Sequence, residues 1–308
     1  MLGFKPYNFR RFSSNLLAKD FAASHLNLAG PEPGDNAPDF EVRTLEGDLF
    51  QLSDFEGDRN IVLTFGSATC PMTAGSIRGL NDLYNDYGEG VEFLFVYVRE
   101  AHPGDQIPAH GNMDDKIAAA ALLRDEEEIE IPIGVDDLKG TIHKKYGKLP
   151  NATFVIDKSG RIAFRSLWSR ATELRAALEE LLERQEERGV EHVVVHGGED
   201  VDMPVAHSML FTHRALERGG VDSIRNFRKE MGMPGRVALV SSRVMEPVAL
   251  HPFRVLTGAL LASGVIAGAL YAGHKLRQKR FGFRSPYDLH VRPPHTATTG
   301  EEYEAVGI

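Results

Sequence analysis

The stretch that decides the fold is Ile61-Val62-Leu63-Thr64-Phe65-Gly66-Ser67-Ala68-Thr69-Cys70-Pro71-Met72-Thr73. Five strand-forming residues break at a glycine, and the chain then meets a cysteine followed by a proline. Proline is tolerated in the first turn of a helix because its missing N–H would have no partner there. Ile77, Leu80, Tyr84 and Tyr87 continue from it at helical spacing. A helix beginning just past Cys70 aims its free N–H groups and positive end at the sulfur, which favours the thiolate, the reactive form. The plainer fate of a lone cysteine is that of a small buried hydrophobe. Its position at a strand-to-helix corner tips the reading toward a reactive thiol.

Working outward, Val91–Val98 is a second continuous apolar run, as expected of a strand buried on both faces, so the Cys70 helix lies between two parallel strands in a βαβ unit. Upstream, Phe40–Thr44 and Leu49–Leu52 flank Leu45-Glu46-Gly47-Asp48 and predict a short hairpin. Downstream, residues 115–128 predict a helix, 131–135 a strand, and 137–146 a helix closed by Gly147. Residues 152–157 and 161–165 flank Lys158-Ser159-Gly160 as an antiparallel hairpin. A helix over 171–188 has Leu174, Ala177, Leu178, Leu181 and Leu182 on one face. The Glu126-Glu127-Glu128 run reads as helix-surface charge. Beyond Gly189 the pattern weakens: Val193–Val195 as a short strand, Val205–Met231 as helix broken at Gly219-Gly220, and Arg236–Ser241 as another short strand.

The expected organisation is an N-terminal arm (1–33), an α/β domain (34–188), a helical or irregular connector (189–253), a membrane-spanning helix (254–275) and a tail (276–308). From Val255 to Gly273 no residue is charged. Nineteen residues at about 1.5 Å each span roughly 28 Å, close to a bilayer's hydrocarbon thickness. Arg254 precedes the run, and Lys275, Arg277, Lys279 and Arg280 follow it. Gly258/Ala262 and Gly264/Gly268 offer small-residue faces to a helix partner or a second copy. The basic cluster after the span favours a cytoplasmic tail, yet residues 1–30 lack the apolar core of an export signal. The expectation is therefore a single-pass membrane protein with a cytoplasmic globular domain. The first thirty residues fit equally an organellar transit segment or an arm lying on the domain or the membrane surface.

Composition excludes several functions. The chain of 308 residues carries 35 basic and 44 acidic residues, a net charge of −9, which argues against nucleic-acid binding. One cysteine excludes an internal disulfide and any cysteine-based metal or iron–sulfur cluster, so disulfide chemistry requires an external thiol. His192, His196, Glu199, Asp200, Asp202 and His207 follow no ligand spacing and sit around Gly197-Gly198. No bound cofactor or metal is expected.

The residues resemble a known group, thioredoxin-fold proteins and, within them, the iodothyronine deiodinase family. Gly34-Asp35-Asn36-Ala37-Pro38-Asp39-Phe40, Thr44-Leu45-Glu46-Gly47 and Leu52-Ser53-Asp54-Phe55 look like the opening of many redoxins. The specific part is Phe65-Gly66-Ser67-Ala68-Thr69-Cys70-Pro71 followed by Glu100-Ala101-His102. The resemblance runs from about Gly34 to Leu182 and implies a mixed sheet flanked by helices, with Cys70 where the family carries selenocysteine. It implies that Cys70 is the nucleophile, that His102 gives or takes a proton, and that Glu100 orients the imidazole. Ser67 and Thr69 would donate to the sulfur, and Pro150 would occupy the cis-proline position beside it. A second family histidine has no clear match, His110 being out of register, and Thr73 stands where thioredoxins have a resolving cysteine.

The implied activity is a thiol-dependent reduction, such as reductive dehalogenation of a small molecule. Two alternatives stand beside it. One is a one-cysteine peroxidase, since Ser67 precedes Cys70 by three, although Leu63 stands where peroxiredoxins have proline. The other is a non-catalytic subunit of a membrane complex, for which the fold is only a docking shape.

Overall fold

Asn60–Gly66 is buried along its whole length because it is the middle strand of a five-stranded sheet. In the computed structural model, which describes residues 7–25, 29–195 and 205–250, the elements run in order from α1 (Ser14–His25) to α7 (Val221–Leu250). A hairpin of β1 (Glu41–Arg43) and β2 (Leu49–Gln51) precedes β3 (Asn60–Gly66), α2 (Pro71–Tyr87), β4 (Val91–Tyr97) and α3 (Met113–Glu127). Then come β5 (Ile133–Val135), α4 (Thr141–Lys145), β6 (Thr153–Ile156), β7 (Ile162–Ser166), α5 (Ala171–Arg188) and α6 (Val205–Gly219). The sheet order β5-β4-β3-β6-β7, with β4 parallel and β6 antiparallel to β3, is that of a thioredoxin-like α/β fold.

Side chains alternate across each strand, so every central strand feeds two cores. Leu63, Phe65, Leu94, Val96 and Phe154 pack with the β1–β2 hairpin and Ile142 and Tyr146 around α4. Val62, Phe93, Phe95, Tyr97 and Val155 pack under α2, α3 and α5, where Leu174, Ala177, Leu178 and Leu181 form the buried stripe of α5. The parallel register pairs Gly66 with Tyr97, and Val98 N–H donates to the Gly66 carbonyl at 2.9 Å. The ends of β3 and β4 therefore open on the same edge of the sheet, which is where Cys70 and the 100–102 segment leave it.

Several elements differ from the sequence reading. The helix expected over 137–146 is confined to Thr141–Lys145 because Asp137 holds a turn instead, accepting from Lys139 N and Thr141 N, while Asp136 accepts from Ile142 N and His143 N. Val193–Val195 is no strand; it makes one strand-like hydrogen bond, Val195 N to the Ala163 carbonyl. Arg236–Ser241 is helical, within α7. Its β-branched residues favour a strand locally, but Leu239 is buried against Phe12, Leu216 and Phe227, and that packing prevails. The break at Gly219-Gly220 holds, with Gly220 at φ 92. Of the alternatives for the first thirty residues, the described part of the arm fits the one that lies on the domain: Tyr7 lies against Gly140, and Arg99 pairs with Asp20 at 2.6 Å.

Among the described residues no helix is long and apolar enough to cross a membrane. The expected span over 255–273, with Gly264 and Gly268, and the tail over 276–308 lie outside the described residues.

Gly66 marks the tightest point of the β3–α2 corner. A Cβ there would stand 2.3 Å from the Phe95 ring and 2.9 Å from Thr73 Cγ2. Gly66→Ala should destabilise the fold by about 1–3 kcal/mol through overpacking, read as a lower urea midpoint with an unchanged slope.

Candidate functional site

Cys70 is the N-cap of α2, with extended backbone (φ −95, ψ 116) and Pro71 in the first turn. It is 2 % exposed. Burial pushes its thiol up, against the pull of the Thr73 N–H, the Thr73 hydroxyl and the Met72 N–H. The helix N-terminus does act on the sulfur as the sequence predicts, but removal from water outweighs it. Thr73, notable in the sequence only as an absent cysteine, thus supplies a hydroxyl to the sulfur and accepts from Ser67 N at 3.3 Å.

The neighbouring strand's exit is strapped to this corner through Thr69. Its N–H and hydroxyl both donate to Glu100 Oε2, at 2.9 and 2.6 Å, while its oxygen accepts from His102 N at 3.0 Å. Ser67 Oγ accepts from Ala101 N at 3.2 Å. Ser67 and Thr69, expected to donate to the sulfur, instead bind the 100–102 segment, because its N–H groups and carboxylate face them across the parallel strand ends.

Glu100 is 2 % exposed and receives four donors: the two from Thr69, the Tyr97 hydroxyl, and His110 Nε2 at 3.0 Å. Burial raises its carboxyl, but His110, Thr69 and Tyr97 together outweigh that and hold it below its ordinary value. It is a buried carboxylate with donors only. Its imidazole partner is His110, not His102 as expected. Residues 103–112 fold back so that the out-of-register histidine reaches the carboxylate, a placement that only the path of this loop decides.

His102 is buried, and its Nδ1 has no hydrogen-bond partner. Its ring lies between Phe12, at a centroid distance of 4.2 Å, and Phe227, at 5.4 Å. Burial lowers its pKa from 6.5 to about 3, Glu100 opposing weakly, so the ring is neutral at physiological pH. Pro150 is half-buried in the loop before β6, and its peptide bond is trans, a correction to the cis-proline expected. The chain reverses at Lys148 (φ 68) instead, which leaves the lower-energy isomer at the proline. Asn151, which the sequence reading passed over, is buried beside it and donates to Ser76 Oγ at 3.3 Å.

The connector covers this site. Phe211 and Ala215 of α6 pack on Ala74 of α2. Arg218, its side chain 4 % exposed, donates to the Ala68 carbonyl at 2.9 Å and pairs with Glu126 and Glu127 at the end of α3. Those glutamates are therefore an anchor for the cover and not idle surface charge. Phe227 of α7 and Phe12 of the arm close over His102. Among the described residues no His/Cys/Asp/Glu group could hold a metal. His192 pairs with Asp157 at 2.7 Å, while His196, Glu199, Asp200 and Asp202 lie outside the described residues, as does the His207 side chain.

Two consequences are measurable. Phe227→Ala should speed alkylation of Cys70 in the folded protein by roughly tenfold, the change that follows from weakening a closed state by about 1.4 kcal/mol. Acceleration matched by an equal loss of global stability would show that the cover does not open separately. The second concerns pH. A histidine whose folded pKa is depressed contributes stability that is complete above its unfolded value of about 6.5 and is lost as pH falls toward about 3. Replacing His102 with Phe should therefore flatten the dependence of the urea midpoint on pH below 6.5, by up to about 1.4 kcal/mol per pH unit.

With the geometry in place, comparison with known proteins identifies its kin. The family model for iodothyronine deiodinase matches residues 13–182, more than half of the chain, and begins within the arm. Type I iodothyronine deiodinase of Xenopus laevis is 31% identical over 141 residues, covering 43% of this chain and 55% of that protein. Thyroxine 5-deiodinase of Gallus gallus is 33% identical over 149 residues, covering 45% and 55%. The chain thus spans about half the length of the curated relatives it matches. The solved structure of peroxidoxin BcpB from Mycobacterium tuberculosis overlaps 49% of this chain and 98% of its own at 21% identity, with a TM-score of 0.38. From residue 13 to residue 182 this chain is built on the pattern that defines the iodothyronine deiodinases, and it belongs to that family.

Proposed function

We propose that this chain is a membrane-attached, thiol-dependent reductase that removes halogen from a small aromatic substrate. The observation that carries this reading is the strapping of the Glu100–His102 segment, through Thr69, onto the corner that ends in Cys70. Cys70 is the nucleophile and His102 the residue that exchanges a proton with substrate. Glu100, held by His110, Tyr97 and Thr69, positions the loop that carries His102.

In the covered state the thiol is pushed up and the imidazole pushed down by the same burial. Both groups are then neutral. Opening the cover admits water, and with desolvation relieved both values move back toward the ordinary range, where a thiolate and a protonated imidazole can coexist. The thiolate takes the halogen as the carbon–halogen bond breaks, and the carbon receives the proton that His102 delivers. An external thiol then displaces halide from the sulfenyl halide, forming a mixed disulfide with Cys70, and a second thiol releases Cys70. The sum is one aryl halide and two thiols giving the arene, a disulfide, halide and a proton. Cys70 is the only cysteine, so the reductant comes from outside the chain.

The burial of Cys70 favours a second, non-catalytic reading, in which this chain is a docking subunit and the thiol is a packed hydrophobe. One assay separates the readings: halide release from an iodinated phenol by the full chain with dithiothreitol, beside peroxide consumption under the same conditions. Dehalogenation predicts halide release that vanishes in Cys70→Ser and falls by roughly 10²- to 10⁴-fold in His102→Ala. Peroxide consumption alone would reassign the chain to the peroxidases. Neither activity, with Cys70 unreactive until unfolding, would leave the docking subunit.

A further inference from the structure

The second half of α7 carries apolar side chains on two opposite faces. One face is accounted for: Ala238, Leu239 and Ser242 are buried, Leu239 among Phe12, Leu216 and Phe227. The other is not. Met233, Val237, Val240, Val244 and Val248 recur at steps of four, three, four and four, the spacing of one helical stripe, and are each between 38% and 67% exposed. Of the twelve exposed large hydrophobics among the described residues, seven lie between Met231 and Val248, so the exposure is concentrated and not scattered. Arg236 and Arg243, both exposed, border the stripe on one side.

We propose that this stripe is a membrane-contact face, lying in the headgroup boundary of a bilayer whose lipids are partly anionic. Two observations select lipid as the occupant. The sequence continues from Leu250, through Arg254, directly into the uncharged run from Val255 to Gly273, which brings the C-terminal end of α7 to a bilayer if that run spans one. An apolar stripe edged by arginines is also the composition of a helix that lies in the interface plane, its apolar side in the acyl boundary and its guanidinium groups among phosphates. A docking site for another protein needs neither feature. The contact would add to the span, hold the domain close to the surface, and place against the membrane the half of α7 beyond the kink at Gly232, whose buried Leu239 packs with the Phe227 that lies over His102.

The test uses the full chain reconstituted in vesicles of phosphatidylcholine and phosphatidylglycerol, carrying Val240→Trp or, as a control at an exposed position of α7 before its kink at Gly232, Arg225→Trp. The wild-type signal of Trp168 is subtracted. Lipids brominated near the headgroup end of their chains should quench the residue-240 probe several-fold more than the residue-225 probe, with blue-shifted emission at 240 only. Equal, weak quenching at both positions in vesicle-bound protein overturns the proposal while leaving the span intact. Blue-shifted but unquenched emission at 240 overturns it in favour of a protein occupant, a second copy or another segment of this chain. A chain that stays in the aqueous fraction overturns both the face and the span.

Discussion

The site depends on one buried charge. Glu100 sits at the end of the second central strand with almost no solvent, and an ionised carboxylate there is tolerable only if its oxygens are occupied by donors. Thr69, Tyr97 and His110 supply them from three places: the corner before Cys70, the strand itself and the loop beyond it. Satisfying the carboxylate therefore draws these three segments together. The same Thr69 oxygen takes the N–H of His102, so the ring's starting point follows from the charge two residues earlier. Removing any one donor leaves a buried charge under-coordinated, which is why a threonine hydroxyl can matter as much here as a residue that touches substrate.

Around that charge the structure holds two groups that could react, both in their neutral forms. Burial raises the thiol of Cys70 and lowers the imidazole of His102, because in each case it disfavours the charged species. The cover responsible is not part of the βαβ core. It is the α6–α7 hairpin and the arm, docked by Phe211, Arg218, Phe227 and Phe12. The electrostatic state of the site is thus tied to whether these elements are seated. Strands β3 and β4 with α2 set positions; α6, α7 and the arm set solvent access.

Much of this was legible in the residues. Continuous apolar runs are what strands buried on both faces require, and a proline after a cysteine at the end of such a run marks a helix start with little ambiguity, so β3, α2, β4 and the β6–β7 hairpin follow from local chemistry. That the Glu100–His102 segment meets the corner before Cys70 was legible too, since parallel neighbours bring their C-terminal ends to one edge. Less legible was everything that depends on contacts distant in sequence. Arg236–Ser241 has the composition of a strand and is a helix because Leu239 finds a buried place against Phe12, more than two hundred residues away. Asp137 stops a helix from starting by holding its own turn.

What the sequence by itself determined is the sheet, the corner and the identity of the groups gathered there, because strand burial, helix starts and strand adjacency are governed by neighbours a few residues away or by a simple alternation. What only the tertiary structure decided is which histidine serves Glu100, that Pro150 is trans, and that Cys70 is buried at the start of a helix on which α6 packs. Those outcomes rest on the path of one loop and on the docking of helices onto a distant edge. A thiol's ionisation is set by the water it can reach, and that is a property of the assembled fold, not of the residues beside it.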